Sequence, residues 1–301
     1  PELEKLRGDR NTGDLAALEG RNFDIIVDTS GYVPDHVKRT SELLGPGCRR
    51  YIFLSSVSAY QDELPGLRNE DFPITVLDAA ILESVKTIPE SFPHYSGMKA
   101  HCELAAEAGA PGKTFNIRPG LIVGPGDRSD RFPWWPHRVA RGGEILAPGA
   151  PDSAQQFIDV RDLAEWLVRS AEAELVGVYN AVGFPGTVTM QELLHGMKIV
   201  LGADCSFTWV PDDFLLEHEV GPWMELPLWI PSDGKHDYGT EKAIQAGLTF
   251  RSIADTIRDT QAWHEKERGD AHKWRTGIAP EKESKVLAAW REHARAEKQE
   301  L

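Results

Sequence analysis

The chain has 301 residues, of which 41% are hydrophobic and 27% are charged, a composition typical of a folded globular protein rather than a disordered or fibrous one. Its 47 acidic residues against 33 lysines and arginines give a formal net charge of −14, which argues against nucleic acid as a partner because phosphate backbones require clustered basic residues. Three scattered cysteines, Cys48, Cys102 and Cys205, form no disulfide framework and indicate a reduced, cytoplasmic compartment. The first ten residues are charged, unlike a signal peptide, and no apolar run is long enough to cross a bilayer, so we expect no membrane association.

The first part of the chain alternates short apolar runs with helical patterns. One helical stripe carries Val37, Ser41 and Leu44 and ends at Gly45, and a second helix is predicted from about Tyr95 to Glu107. Strands are predicted at 4–9, 23–28, 51–56 and 114–118. Strands and helices that alternate in this way predict a parallel sheet with helices on its faces.

The later chain is dominated by helix signals. A strand is predicted at 176–182, and the charged segment 264–301 is predicted to form a peripheral helix or an oligomer contact, as in a homodimer. Capping pairs mark three helix starts, at Asp159 with Asp162, at Thr189 with Glu192 and at Ser252 with Asp255.

The strongest chemical candidate is the pair Tyr95 and Lys99. Positions i and i+4 share a helix face, so the ammonium group can lower the pKa of the phenol and make Tyr95 a general acid or base. Ser55 and Ser56 end a predicted strand, where α/β clefts open, and offer a hydroxyl for the reacting oxygen. The same Tyr-x-x-x-Lys spacing recurs at 238–242 without a serine-bearing strand before it, and we interpret that copy as a surface pair.

Three segments, YIFLSSVSAY, HYSGMKAHCE and FNIRPGLIVGPGD, resemble the extended or atypical short-chain dehydrogenase/reductase superfamily, in its NAD-dependent epimerase/dehydratase-like branch. The order and spacing match across about residues 4–182, and segments 155–166 and 241–267 resemble the later part of that branch. The resemblance implies an α/β fold, a Rossmann-like doubly wound parallel sheet with a smaller mixed C-terminal substrate-binding domain. It divides the chain into a dinucleotide-binding domain (1–122 and about 154–182), a substrate-binding region (123–153 and 183–263) and a charged helical tail (264–301).

The resemblance also implies NAD or NADP as cofactor and assigns the site residues. Ser56 matches the hydroxyl that orients the substrate, Tyr95 the acid/base, and Lys99 the group that lowers the tyrosine pKa and binds the nicotinamide ribose. The other implied cofactor contacts are Asp9 and Arg10 near the adenine, Thr29, Ser30 and Gly31 along the ribose and phosphates, Ser55, and Pro119, Gly120, Leu121 and Ile122 facing the nicotinamide. Ordinary turn chemistry at strand ends is the alternative interpretation of these loop residues.

The sequence departs from the family pattern at one place. A dinucleotide fold needs a glycine-rich turn after its first strand, and none precedes the strand at 23–28. Either the sequence omits an N-terminal unit of about 40 residues, or the protein has lost its dinucleotide site. We favour the omission, because Asp9, Tyr95 and Lys99 would otherwise serve no evident purpose.

Residues 124–143 would line the substrate cleft if the resemblance holds. They form a basic island in an acidic chain, suited to phosphates or carboxylates, and the predicted substrate-binding residues are Arg128, Trp134, Trp135 and Arg138. The alternative is a solvated helix face whose arginines pair with Asp127 and Asp130, with the tryptophans in the core. No H-E-x-x-H pattern occurs, so no metal site is expected.

The function expected from these features is that of an NAD(P)-dependent oxidoreductase or epimerase/reductase acting on a carbinol or carbonyl carbon. Its partner would be a small-molecule substrate, with a sugar nucleotide or another phosphorylated compound as one option. Two alternatives remain open: a redox-neutral isomerase or lyase on the same fold, and a non-catalytic binding protein.

Overall fold

The computed structural model describes residues 3–184, 188–231, 237–269 and 271–300, with side chains up to residue 296. Its strands are β1 (Ile25–Asp28), β2 (Arg50–Leu54), β3 (Thr114–Pro119), β4 (Leu121–Val123), β5 (Gly143–Pro148), β6 (Ala154–Gln155), β7 (Phe157–Asp159), β8 (Gly177–Ala181), β9 (Val188–Thr189) and β10 (Cys205–Val210). Its helices are α1 (Pro34–Leu44), α2 (Ala79–Ser84), α3 (Ile88–Ser91), α4 (Tyr95–Gly109), α5 (Arg131–Ala140), α6 (Val160–Glu172), α7 (Met190–Leu201), α8 (Asp212–Glu217), α9 (Glu241–Gln245), α10 (Ile253–Glu267) and α11 (Pro280–Glu300). No helix within these ranges combines the length and the apolar character needed to cross a membrane.

The chain divides into two compact units, each assembled from three stretches. The first unit comprises Pro1–Gly120, Leu163–Gly183 and His236–Thr249, and the second comprises Leu121–Asp162, Phe184–Lys235 and Phe250–Leu301. Residues 154–162 thus fall in the second unit and residues 237–249 in the first, the reverse of the sequence-based division. The C-terminal segment from 264 onward is part of the second unit and not a separate tail.

The first unit contains a four-stranded parallel sheet in the order β1-β2-β3-β8, which confirms the predicted sheet. Helices α1 and α4 pack against each other so closely that a Cβ on Gly109 would overlap the Ser41 hydroxyl, which donates a hydrogen bond to the Ala105 carbonyl at 3.1 Å. The apolar residues Val37, Tyr51, Phe53, Cys102 and Ala106 form a buried cluster in this unit.

The segment 4–9 does not form the predicted strand. Its only ladder contact is a bridge between Asp9 and Asp14, whose backbone groups exchange hydrogen bonds of 3.0 and 2.9 Å around a turn. A strand needs a neighbour to satisfy its backbone groups. Within the ranges given above, β1 pairs with β2 alone, and no strand lies beside residues 3–8.

The second unit is organised around its own buried apolar cluster, with Phe132, Trp135, Leu146, Phe157 and Leu194 among its members. Three two-stranded pairings belong to it: β5 with β10 and β4 with β7, both parallel, and β6 with β9, antiparallel. The predicted caps of α7 and α10 are present, whereas the Asp162 carboxylate, predicted to cap α6, accepts hydrogen bonds from Arg251 instead. Thr189 and Glu192 form a capping box on α7, and the Ser252 hydroxyl accepts a hydrogen bond from the Asp255 amide at the start of α10.

Candidate active site

Lys99 ties together the ends of two neighbouring strands in the first unit. Its side chain lies on α4, is almost fully buried, and its Nζ donates hydrogen bonds to the Leu54 carbonyl at 2.7 Å and the Gly31 carbonyl at 2.9 Å. Leu54 ends β2, and Gly31 follows β1, so both carbonyls lie at the carboxyl end of the parallel sheet. Ligands of open α/β sheets bind at this end.

Tyr95 opens α4 and lies within reach of Ser56. The Ser56 hydroxyl makes a polar interaction with the Tyr95 phenol, and it also accepts a hydrogen bond from the Ser58 amide at 3.1 Å. The Tyr95 ring lies beside that of Tyr32, with 6.4 Å between their centroids. The structure therefore places Tyr95 beside Ser56, and Lys99 on the same helix, near the carboxyl end of the sheet.

The electrostatics of the pair differ from the sequence-based expectation. Burial raises the pKa of Tyr95, and the interaction with Ser56 offsets this only in part. Burial also lowers the pKa of Lys99 to about 8. The expected lowering of the tyrosine pKa by Lys99 is absent, because burial dominates and the ammonium group is bound to two backbone carbonyls. Tyr95 is consequently protonated at neutral pH and can act as a proton donor.

Ser55 points away from its neighbour, into a buried polar network. Its hydroxyl donates a hydrogen bond to the Glu103 carboxylate, while its backbone amide donates to the Ile117 carbonyl at 2.7 Å. Glu103 in turn accepts from Arg118 Nε at 2.9 Å and Nη2 at 2.6 Å. The Ser55 hydroxyl is thus engaged inside the protein, and the predicted cofactor contact is not available to its side chain in this arrangement.

Asp28, which the sequence analysis missed, organises the predicted adenine-side residues. Arg10 donates to Asp28 Oδ1 at 2.9 Å and Oδ2 at 2.5 Å, and it also donates to the Ser30 hydroxyl at 3.1 Å. Burial alone would raise the pKa of Asp28, but the hydrogen bond and charge of Arg10, together with hydrogen bonds from the Ser30 amide and the Tyr51 hydroxyl, outweigh burial and lower it. Asp9 is exposed and accepts from the Asn11 amide, as in an ordinary turn. The sequence signal that could have identified Asp28 is its position, as an acidic residue at the carboxyl end of an apolar strand.

The remaining predicted cofactor residues lie at strand ends. Thr29 is exposed, whereas Gly31 is buried so tightly that a Cβ would overlap the side chains of Phe53 and Val37. Glycine at this position is therefore explained by close packing. Pro119 ends β3, Gly120 donates to the Ala181 carbonyl at 3.1 Å, and Leu121 and Ile122 begin β4 in the second unit.

The structure gives most of the predicted substrate residues a packing role. Trp134 and Trp135 are buried in the second unit, and Trp135 Nε1 donates to the Pro227 carbonyl at 2.5 Å. Arg138 is buried and donates through Nε to both oxygens of Glu283, at 3.1 and 2.9 Å. Trp135 Nε1 and Arg138 Nε therefore already have hydrogen-bond partners. The face of α5 that carries them packs against the apolar cluster of the second unit. Arg128 alone of the four is exposed.

The alternative pairing with nearby acids also differs from what is observed. Asp130 is fully buried and bound to Arg268 and His272 of the C-terminal segment rather than to the arginines beside it in sequence. The three cysteines are buried and unbridged. In the part of the chain that the structure describes, no cluster of three histidine, cysteine or acidic side chains is placed to hold a metal ion.

Comparisons with known proteins show a likeness of fold. No protein-family model matches the chain, and no curated protein matches it in sequence. Among solved structures, RMD from Pseudomonas aeruginosa complexed with NADPH is 15% identical, with a TM-score of 0.61 over 87% of this chain and 88% of that one. MoeE5 in complex with UDP-glucose and NAD is 19% identical, with a TM-score of 0.58 over 87% and 85%. WbmH from Bordetella bronchiseptica in complex with NAD+ is 16% identical, with a TM-score of 0.56 over 82% and 76%. The fold implied by the resemblance to short-chain dehydrogenases/reductases is thereby confirmed.

Proposed function

We propose that this protein is an NAD(P)-dependent oxidoreductase or epimerase that acts on a carbinol or carbonyl carbon. The observation that carries the proposal is the meeting of Ser56, Tyr95 and Lys99 at the carboxyl end of the parallel sheet. A phenol, a hydroxyl and an amine at one cleft supply a proton donor, an oxygen-binding group and a positive charge. The NAD and NADPH complexes among the structural neighbours support the same reading.

The residues present suit one half of a nicotinamide dinucleotide. Tyr95 and Lys99 would hold the nicotinamide ribose, with Ser30 and the Arg10 guanidinium beside the same sheet end. The donor set fits, because an amine with a pKa of about 8 and a phenol can both bond sugar hydroxyls. No glycine-rich turn for the pyrophosphate precedes β1 in the sequence, so the fit covers the nicotinamide and its ribose only. When bound, the nicotinamide supplies a hydride donor or acceptor.

Residues of this chain would supply the proton and bind the substrate oxygen. Tyr95, protonated at neutral pH because burial raises its pKa, would donate its proton to the substrate oxygen in the reducing direction. Ser56 would hold that oxygen through its hydroxyl. Lys99, fixed by the Gly31 and Leu54 carbonyls, would bind the nicotinamide ribose beside Tyr95.

We further propose a small phosphorylated substrate, with a sugar nucleotide as the first class to test. The MoeE5 complex with UDP-glucose supports this choice. Arg128 is the predicted substrate residue that stays exposed, and a guanidinium group suits a phosphate. Trp134, Trp135 and Arg138 are left out of the proposed site because all three are buried and the last two already have hydrogen-bond partners.

The test combines cofactor binding with one conservative substitution. We expect NADH or NADPH to bind the full chain, as measured by fluorescence titration, and the bound nucleotide to be oxidised by a member of a panel of carbonyl compounds that includes keto-sugar nucleotides. Tyr95→Phe should keep nucleotide affinity and lose about 10²–10⁴-fold in turnover. Tyr238→Phe, in the second copy of the spacing, is the matched control and should keep its activity. Failure to bind either nucleotide, or full turnover by Tyr95→Phe, would contradict the proposal.

A further inference from the structure

A basic cavity of about 430 Å³ lies within the second unit. Arg128, on the loop before α5, meets Arg268, at the end of α10, and Arg275, farther along the chain. Among the residues that the structure describes, three arginines face two lining carboxylates, those of Asp130 and Glu267, in a chain whose overall charge is strongly negative. The cavity is therefore a local concentration of positive charge, and its size suits a small metabolite.

Asp130 organises the cationic wall of this cavity. It is fully buried, has a left-handed φ of 69°, and accepts hydrogen bonds from Arg268 Nη1, from His272 Nε2 at 3.0 Å and from the Arg275 amide at 2.9 Å. Burial by itself would raise the pKa of Asp130, but these hydrogen bonds lower it, so the carboxylate stays charged. One buried acid thus holds Arg268, His272 and the backbone of Arg275 beside the loop that carries Arg128.

The arginines keep donors that Asp130 does not use. Arg268 is held over the ring of Trp263, with 4.7 Å from its guanidinium carbon to the ring centroid. Within the described residues, its guanidinium group forms hydrogen bonds through Nη1 alone. Neither Arg128 nor Arg275 has an acidic partner among the residues that the structure describes, and Arg275 Nη1 merely approaches the Arg128 carbonyl at 3.5 Å. Guanidinium groups that converge with unused donors favour an anion between them.

We propose that this cavity binds the phosphate group of a phosphorylated small molecule through Arg128, Arg268 and Arg275. A phosphate offers two negative charges and three acceptor oxygens, which matches several forked donors better than a single carboxylate does. The proposal rests on contacts inside the second unit and stands whether or not the oxidoreductase function is correct.

Inorganic pyrophosphate is the probe that tests this site. We expect isothermal titration calorimetry on the full chain at low ionic strength to detect binding that weakens as salt is added. Arg128→Gln and Arg275→Gln should each weaken it about tenfold or more, since each removes charge-assisted hydrogen bonds. Both side chains are exposed, so the variants should fold, which circular dichroism will verify. Arg258→Gln is the matched control, an exposed arginine on α10 that pairs with Asp255.

Three outcomes would overturn the proposal. One is an absence of pyrophosphate binding in the millimolar range. Another is equal weakening by Arg258→Gln and by the two cavity variants, which would mean that overall charge and not the cavity attracts the anion. The third is malonate binding as tightly as pyrophosphate, which would make the phosphate class wrong. Tyr95→Phe should leave pyrophosphate binding unchanged, which separates this site from the proposed redox chemistry.

Discussion

Glu103→Gln should destabilise the protein far more than its small change in shape implies. The side chains of Glu103 and Arg118 are each 4% exposed and are joined by two hydrogen bonds, and a third reaches Glu103 from Ser55. Burial by itself would lower the pKa of Arg118, but Glu103 raises it above its ordinary value, so the guanidinium stays charged. Removing its counter-charge leaves that ion uncompensated in the interior, at a cost of about 3–5 kcal/mol. Such a loss is a large share of the roughly 5–15 kcal/mol that stabilises a domain.

Urea unfolding at pH 7, followed by circular dichroism, measures this loss. Glu107→Gln is the matched control, because Glu107 lies one turn further along α4, is exposed, and as glutamine would keep an acceptor oxygen. This variant should lose less than about 1 kcal/mol of unfolding free energy. The double variant Glu103→Leu with Arg118→Met should recover much of the stability, because it leaves neither charge buried alone. A loss below about 1 kcal/mol for Glu103→Gln, or a double variant as unstable as the sum of its single changes, would refute the reasoning.

Two further predictions concern Lys99 and a crowded glycine. The pKa of Lys99 is about 8 in the folded protein and 10.5 in its ordinary state, so the unfolded chain binds more protons between these values. The unfolding free energy should therefore rise from pH 8 to pH 10 by about 2–3 kcal/mol relative to Lys99→Met; parallel urea-derived profiles would contradict this. Gly277 and Gly126 both have positive φ, 106° and 92°, but only at Gly277 would a Cβ overlap Trp134. In thermal unfolding, Gly277→Ala should lower the free energy of unfolding by about 1–3 kcal/mol more than Gly126→Ala does. Equal losses of stability would show that backbone strain, and not the overlap with Trp134, determines the effect.

Features set by neighbours in the sequence were predictable. The capping box of Thr189 with Glu192 depends on a spacing of three residues, and the pairing of Tyr95 with Lys99 on one face depends on a spacing of four. Most helix and strand positions in the first unit followed from apolar periodicity for the same reason, the segment 4–9 excepted. These local rules sufficed to predict the parallel sheet.

Partners far apart in the sequence were not predictable. Arg138 pairs with Glu283, 145 residues away in the sequence, and Asp130 pairs with Arg268, 138 residues away. Residues of opposite charge lie closer in the sequence to both. The direction of the Tyr95 pKa shift likewise depends on burial, which no spacing rule contains. Charge patterns show that an arginine needs a partner, but only packing decides whether that partner is an acid, a carbonyl or a ligand.

The interleaved stretches of the first unit have a consequence for biosynthesis. Strand β3 completes its pairing only with β8, where Phe115 lies opposite Gly177, and Asn180 then donates to the Gly239 carbonyl at 2.9 Å. At about 5–20 residues per second, a ribosome takes roughly 3–12 s to pass from Phe115 to Gly177. During that interval the edge of β3 has no β8 to pair with. Unpaired strand edges can form hydrogen bonds with other chains and so promote aggregation. The edge of β3 is therefore paired only after the later stretches of the first unit have been synthesised.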